Sequence, residues 1–306
     1  VRNLPREKRP LDGVLLFDKP LQLSSNTALQ KVRRLYHAEK AGHTGTLDPL
    51  ATGLLPICFG EATKFSTGLL DADKSYRALV KLGQTTTTGD AEGEITSSCE
   101  VSVDEQQLRA AMCDFFGEIS QIPPMYSALK HQGKPLYEYI RKGETIERTS
   151  RTVFIHELEL EHFAVDQIEI KVRCSKGTYI RTLAEDIGQA LGCGAHLLGL
   201  RRINIAEFSV DKASNWQQLE VMSMPEREAR LLPLDCMLQH FPMIELDTVQ
   251  ATRMAQGQRL VVDEGLASGK IRLYSEGKFI GLGELLGRRL APDRLLSNIA
   301  IRAATH

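Results

Sequence analysis

Residues 42–54 read Gly42-His43-Thr44-Gly45-Thr46-Leu47-Asp48-Pro49-Leu50-Ala51-Thr52-Gly53-Leu54. One carboxylate, Asp48, stands among the apolar residues Leu47, Pro49, Leu50, Leu54 and Leu55. Gly42, Gly45 and Gly53 punctuate the stretch, and His43 precedes the acid. A charge taken out of water must be paired, or it takes up a proton. An acid in this setting is therefore a candidate for chemistry. Local composition alone fits an Asp-Pro turn equally well, with the carboxylate capping the backbone and proline presetting the next dihedral.

Toward the N-terminus, Gly13 to Phe17 is a short apolar run closed by Asp18-Lys19-Pro20, which predicts a strand and a turn. Ser24 or Ser25 offers an N-cap. Leu29, Val32 and Tyr36 follow at helical spacing, with Lys31, Arg33 and Arg34 on other faces. Beyond the glycine-rich loop, Ser75 to Leu82 alternates. Tyr76, Ala78, Val80 and Leu82 face one way, and Arg77, Leu79 and Lys81 the other. Gln84 to Gly93 reads as a loop. Ser102 and Glu105 have capping-box spacing before Leu108, Met112 and Phe115, with Gly117 as the stop.

Ile122 to Pro135 holds three prolines and a glycine, which rules out a long regular element. With a short helix over Leu136 to Lys142, it predicts a basic, mobile insertion over a site, about residues 120–152. Arg151 to Phe163 and Gln167 to Cys174 read as a hairpin turning through Ala164 to Asp166. Tyr179 to Leu191 is a helix with the stripe Ile180, Leu183, Ile187, Leu191 and the stop Gly192. His196 to Phe208 is extended, and Asn215 to Arg230 is polar and helical. From Ile244 the segments are short and glycine-punctuated, with small strands at Ile271 to Tyr274 and Lys278 to Leu282. The expected division is 10–243 and a β-rich 244–306.

The chain has 306 residues, 42% hydrophobic, enough for a sizeable core and two domains. No apolar run reaches membrane-span length, and the basic, polar start lacks an apolar signal region, so a soluble, unexported protein is expected. The six cysteines show no C-x-x-C spacing, and the Cys193–His196 pair lacks a second pair to complete a zinc site. The expectation is no metal, no disulfide framework and a reduced, cytoplasmic compartment. Net charge is −1, unusual for a nucleic-acid binder. The charge is unevenly spread, however. Basic clusters include Arg2, Arg6, Lys8 and Arg9; Lys31, Arg33 and Arg34; and Lys130, Lys134, Arg141, Lys142, Arg148 and Arg151. The stretch from Asp90 to Glu118 is acidic. Separate patches of this kind can steer a phosphate backbone to one face. Phosphate-loop, H-E-x-x-H and G-x-S-x-G patterns are absent.

Several separated motifs, in this order, resemble the TruB family of tRNA pseudouridine-55 synthases. They begin with Gly13-Val14-Leu15-Leu16-Phe17-Asp18-Lys19-Pro20 and the Asp48 loop. Asp73-Lys74-Ser75-Tyr76-Arg77 and Gln121-Ile122-Pro123-Pro124-Met125-Tyr126-Ser127-Ala128 follow. Cys174-Ser175-Lys176-Gly177-Thr178-Tyr179-Ile180-Arg181, Gly192-Cys193-Gly194-Ala195-His196 and Leu200-Arg201-Arg202 complete the set. One departure is visible: Gln22 stands where the family usually has glycine, two residues after the Lys-Pro.

The resemblance implies an α+β catalytic domain with a mixed or antiparallel sheet and a small PUA-like C-terminal domain. It implies a cofactor-free isomerisation of uridine to pseudouridine on the T stem-loop of tRNA, by a monomer. Asp48 matches the catalytic aspartate and Arg181 its paired arginine. Tyr76 matches the aromatic that packs on the target base, and Tyr179 a substrate-contacting position. Leu200 matches a pocket wall, and His43 a residue that inserts into the RNA loop. The rivals are a tRNA-binding or tRNA-folding factor with secondary catalysis, and a carboxylate hydrolase. A glycosidase needs two carboxylates flanking one bond, and no second acid sits in a comparable motif.

Overall fold

The computed structural model describes residues 8–297 except 128, 141, 263 and 264, so the basic Arg2, Arg6 and Arg141 fall outside the described residues. A ten-stranded mixed sheet forms the centre. Its labelled strands are β1 (Gly13–Lys19), β2 (Ala41–His43), β3 (Ala51–Phe59), β4 (Lys74–Leu82), β5 (Gly117–Gln121), β6 (Arg151–Ala164), β7 (Gln167–Cys174), β8 (Ala195–Ile205) and β9 (Ser214–Asn215). The spatial order is β9-β1-β3-β8-β4-β7-β6-β5, with β2 on β3 and Phe208–Ser209 on β8. Most pairs are antiparallel. The β3–β8 pair is parallel, with Leu200 opposite Ala51 and Arg202 opposite Gly53.

Three helices cover one face: α1 (Ser25–Leu35), α2 (Glu105–Cys113) and α3 (Ile180–Ala190). Leu29 and Val32 of α1, Leu108 and Met112 of α2, and Leu183 and Ile187 of α3 join Phe17, Leu55, Val80 and Ile170 in one buried core. Each fully buried aliphatic side chain of this kind contributes about 1.5–3 kcal/mol. The opposite face of β1 and β3 presents Val14, Leu16, Leu54 and Cys58. Phe65, Met237 and Leu238 cover it together with Leu282 and Leu296 from the C-terminal part. That part is a five-stranded sheet with its own core of Leu246, Met254, Ile271, Leu273 and Leu290. Among the described residues no helix is long and apolar enough to cross a membrane.

The strand at Ser75 to Leu82, the hairpin at 151–174 and the helix after Tyr179 stand within a residue or two of their expected positions. Four readings need correction. The glycine-rich loop ends at Leu50, because Ala51 to Phe59 is a central strand buried almost throughout, whose run of Leu54, Leu55 and Ile57 lacks the alternation of a half-exposed strand. The capping box of α2 uses Asp104 and Gln107, not Ser102 and Glu105, and Gly117 opens β5 instead of ending the helix. Gln84–Thr86 pairs with Ile95–Ser98, so the threonine-rich stretch begins as a strand. The C-terminal part, expected to be β-rich, also holds a helix, Thr248–Ala255. Its capping box, Asp247 with Gln250, was the available signal.

Candidate active site

Asp48 lies in the turn between β2 and β3, and this turn is tied at several points. The Ser25 hydroxyl, at the start of α1, accepts the Leu47 N–H at 2.7 Å and donates to the Leu47 carbonyl at 2.9 Å. The Gln22 N–H donates to the Pro49 carbonyl at 2.9 Å, and Ala51 N–H closes on the Asp48 carbonyl at 3.0 Å. Gln22 makes its bond at φ +65°, in the left-handed region that favours glycine. The departure at this position therefore keeps the first turn in the glycine-like conformation.

Arg181 approaches from the first turn of α3. Tyr179 caps that helix without a side-chain bond of its own. Gln121, buried at the end of β5, supplies the registration: its Oε1 accepts the Tyr179 N–H at 3.0 Å, and its Nε2 donates to the Tyr179 carbonyl at 3.2 Å. The guanidinium, whose side chain is 6% exposed, then meets Asp48 at 3.0 Å and Asp90 at 3.3 Å. Further bonds to the carbonyls of Thr88 and Tyr126 complete its partners. Asp90 is itself held by the Thr88 hydroxyl at 2.5 Å and the Glu92 N–H at 3.1 Å.

A pocket of about 170 Å³ opens here, lined by Asp48, Tyr76, Tyr179, Arg181 and Leu200 together with Ser127, Thr178 and neighbours. Five of the six residues singled out in the sequence thus meet in one cavity. His43 does not line it. Its ring is partly buried on β2, opposite Ile57, with Nδ1 unpartnered. Larger hollows lie elsewhere. One of them, about 560 Å³ against α2 and β6, is lined by Met112, Phe116, Leu158, Leu160 and exposed charges.

Burial pushes the Asp48 carboxyl above the usual carboxylate range. Arg181 opposes that shift, Asp90 adds to it, and Lys19 opposes it. The side chain keeps 44% of its surface open to the pocket, so dense protein on the remaining sides causes the shift, not complete exclusion from solvent. Lys19, fully buried and bonded to the Pro20 and Leu23 carbonyls, is pulled down to about 8 by burial. The arrangement is thus a carboxyl group that faces a cavity, paired with one shared guanidinium and positioned by backbone bonds. Such a group can attack an electrophilic carbon or stabilise developing positive charge. Among the described residues no three His, Cys, Asp or Glu side chains converge to hold a metal ion.

Sequence reading missed Asp90, Gln121 and Arg202. Asp90 sits in a threonine- and glycine-rich stretch that resembles any polar turn. Gln121 stands in the sequence as a polar residue at the head of a proline-rich motif, with nothing local to mark its partner. Arg202 was legible in principle: it shares a strand face with Leu200 at period two, which points it inward.

Three family descriptions match the chain in succession. They are "TruB family pseudouridylate synthase (N terminal domain)" over 33–180, "tRNA pseudouridylate synthase B C-terminal domain" over 181–239, and "Pseudouridine synthase II TruB, C-terminal" over 242–296. A protein named tRNA pseudouridine synthase B from Methylobacillus flagellatus is 60% identical over 294 residues, covering 95% of this chain and 97% of its own. Its namesake from Burkholderia mallei is 54% identical over 296 residues, covering 94% of this chain and 98% of its own. Among solved structures, one described as a Cbf5-Nop10-Gar1 complex superposes with a TM-score of 0.71 at 25% identity, covering 92% of this chain and 84% of that chain. The archaeal box H/ACA sRNP Nop10-Cbf5 complex gives 0.69 at 25% identity, covering 96% and 90%.

Proposed function

This chain belongs to the TruB family of pseudouridylate synthases, and from that premise we propose that it isomerises uridine 55 in the T loop of tRNA to pseudouridine. The observation that carries the reading is Asp48, ion-paired to Arg181 in the wall of the pocket that Tyr76, Tyr179 and Leu200 also line. The reaction breaks the bond from N1 to the sugar, turns the base and joins its C5 to the same sugar carbon. The C5 proton leaves and N1 gains one, so atoms and charge balance without an oxidant or energy donor. Asp48 serves as the covalent or electrostatic partner of the detached base or sugar, and Arg181 keeps it ionised.

The target base is stacked inside the T loop and must be extruded, at a cost of a few kcal/mol. Stacking on Tyr76 returns about 1–3 kcal/mol of that. Tyr179 and Leu200 confine the base, and His43 fills the space it leaves in the RNA. Residues 10–243 form the catalytic domain. The basic segment 120–152 clamps the RNA arm, and 244–306 is a PUA-like RNA-binding module. The enzyme acts as a monomer on tRNA in the cytoplasm.

The deciding experiment replaces Asp48 with Asn and maps pseudouridine by position in a tRNA incubated with the purified enzyme. Loss of an essential nucleophile lowers the rate by at least about three orders of magnitude, with RNA binding retained. Near-normal turnover by the variant refutes the assignment and favours the RNA-binding alternative.

A further inference from the structure

Arg202 is 1% exposed, and among the described residues its guanidinium forms no ion pair with a carboxylate. A buried cation without a counterion is normally unfavourable and persists where neutral acceptors and geometry hold it. Here the acceptors are specific. Nε donates to the Leu54 carbonyl at 2.8 Å, and Nη2 donates to the Gly45 carbonyl at 3.0 Å. These carbonyls bracket the Asp48 turn, one on each side.

Tyr76 is the neighbour of Arg202 across the sheet, its register partner on β4. On the other side Arg202 stands opposite Gly53 on β3. Gly53, at φ +101°, leaves the room for this pairing: a Cβ there would lie 2.3 Å from the Arg202 carbonyl oxygen. Gly45, at φ +76°, abuts the side chain itself, its Cβ position falling 3.3 Å from Nη1. Gly53 thus makes room for the backbone of the strand that carries Arg202, and Gly45 for its guanidinium.

We propose that Arg202 is a positioning residue that locks the Tyr76 ring to the Asp48 turn, so that the two walls of the pocket hold one fixed separation during the reaction. Arg202 does not line the pocket and acts through groups that do. The inference rests on the reading of the Asp48 pocket as the site of isomerisation.

A double-mutant cycle tests it, with single-turnover rate, tRNA affinity and thermal melting measured for R202M, Y76F and the double variant. Removing either end of the lock breaks the same connection. R202M and Y76F are each expected to lose about tenfold in rate, the double variant to be no more than about threefold worse than either, and tRNA affinity to stay within about threefold. A merely structural role makes the losses independent, and the double variant then falls about a hundredfold. That result overturns the proposal, as does a wild-type rate for R202M. If R202M does not fold, R202K takes its place in the same cycle, since it retains the charge and loses the planar fork. D48N is run alongside. If D48N turns over normally, the functional reading has failed; if D48N is inert and the cycle multiplicative, only the role of Arg202 has failed.

Discussion

Replacing Arg181 with Met removes the cation that, among the described residues, bonds Asp48 directly. Breaking a buried ion pair from one side costs about 3–5 kcal/mol. This pair is open to the pocket, with 44% of the Asp48 side chain exposed, and screening leaves about half, ~2 kcal/mol. At 1.36 kcal/mol per decade that is about thirtyfold in rate near neutral pH. The pH dependence carries a definite sign. The Asp48 carboxyl already sits above its ordinary range, chiefly through burial, and Arg181 is the largest influence pulling it back. Without Arg181 it moves further up, and Asp90, left unpaired at the same site, pushes in the same direction. Catalysis needs the ionised form, so the acid limb of the rate profile shifts to higher pH and the deficit shrinks as pH rises. Arg181→Lys falls between, because a point charge remains and the fork that spans both carboxylates is lost. The assay is single-turnover pseudouridine formation across the pH range, with tRNA saturating. A deficit that does not change with pH, or a wild-type rate, refutes the role given to Arg181.

Tyr76→Phe retains tRNA binding, whereas Tyr76→Leu weakens binding or flipping by roughly one to two decades, matching ~1–3 kcal/mol for a base stacked on an aromatic ring; equal affinities for the two variants exclude stacking. Lys130 and Lys134 lie exposed on the two strands of the small hairpin in the basic insertion. Changing both to Glu lowers affinity and flattens the dependence of log affinity on log salt, and an unchanged slope in filter binding removes this hairpin from the RNA surface. Gln22→Gly relieves a left-handed residue and raises stability by ~0.5–1 kcal/mol after the added freedom of the unfolded chain is counted, and a lower melting temperature contradicts that account.

Elements whose pattern repeats inside one segment were readable. The alternation of β4 and the apolar stripe of α3 fix those elements, because burial on one side imposes a period of two or 3.6 on the chain itself. β3 was not readable. Covered on both faces, it carries an unbroken apolar run in which no periodicity survives. The α2 cap was displaced for a different reason: Ser102 and Asp104 both offer a side-chain oxygen, and only the observed start brings Gln107 back to the Asp104 N–H. The site divides along the same line. Asp48, Tyr76, Tyr179, Arg181 and Leu200 were legible because motifs surround them. Asp90, Gln121 and Arg202 act through contacts with residues far away in the chain, and no local pattern names a partner 58 or 148 residues distant.

The parallel seam between β3 and β8 also governs when the pocket comes into being. Synthesis runs from the N-terminus at about 5–20 residues per second, so on the order of ten seconds separate the emergence of Asp48 from that of Arg181. During that interval the acid is exposed to water, where a lone carboxylate is at no disadvantage. Both arginines that organise the site arrive later, and they find the acid and the carbonyls already made. The seam closes a loop of well over a hundred residues, an entropic cost that the pairing of β4 with β7 inside that loop reduces. A translation product released before α3 therefore has no partly formed site of low activity. It has a turn and a carboxylate, and no pocket to face.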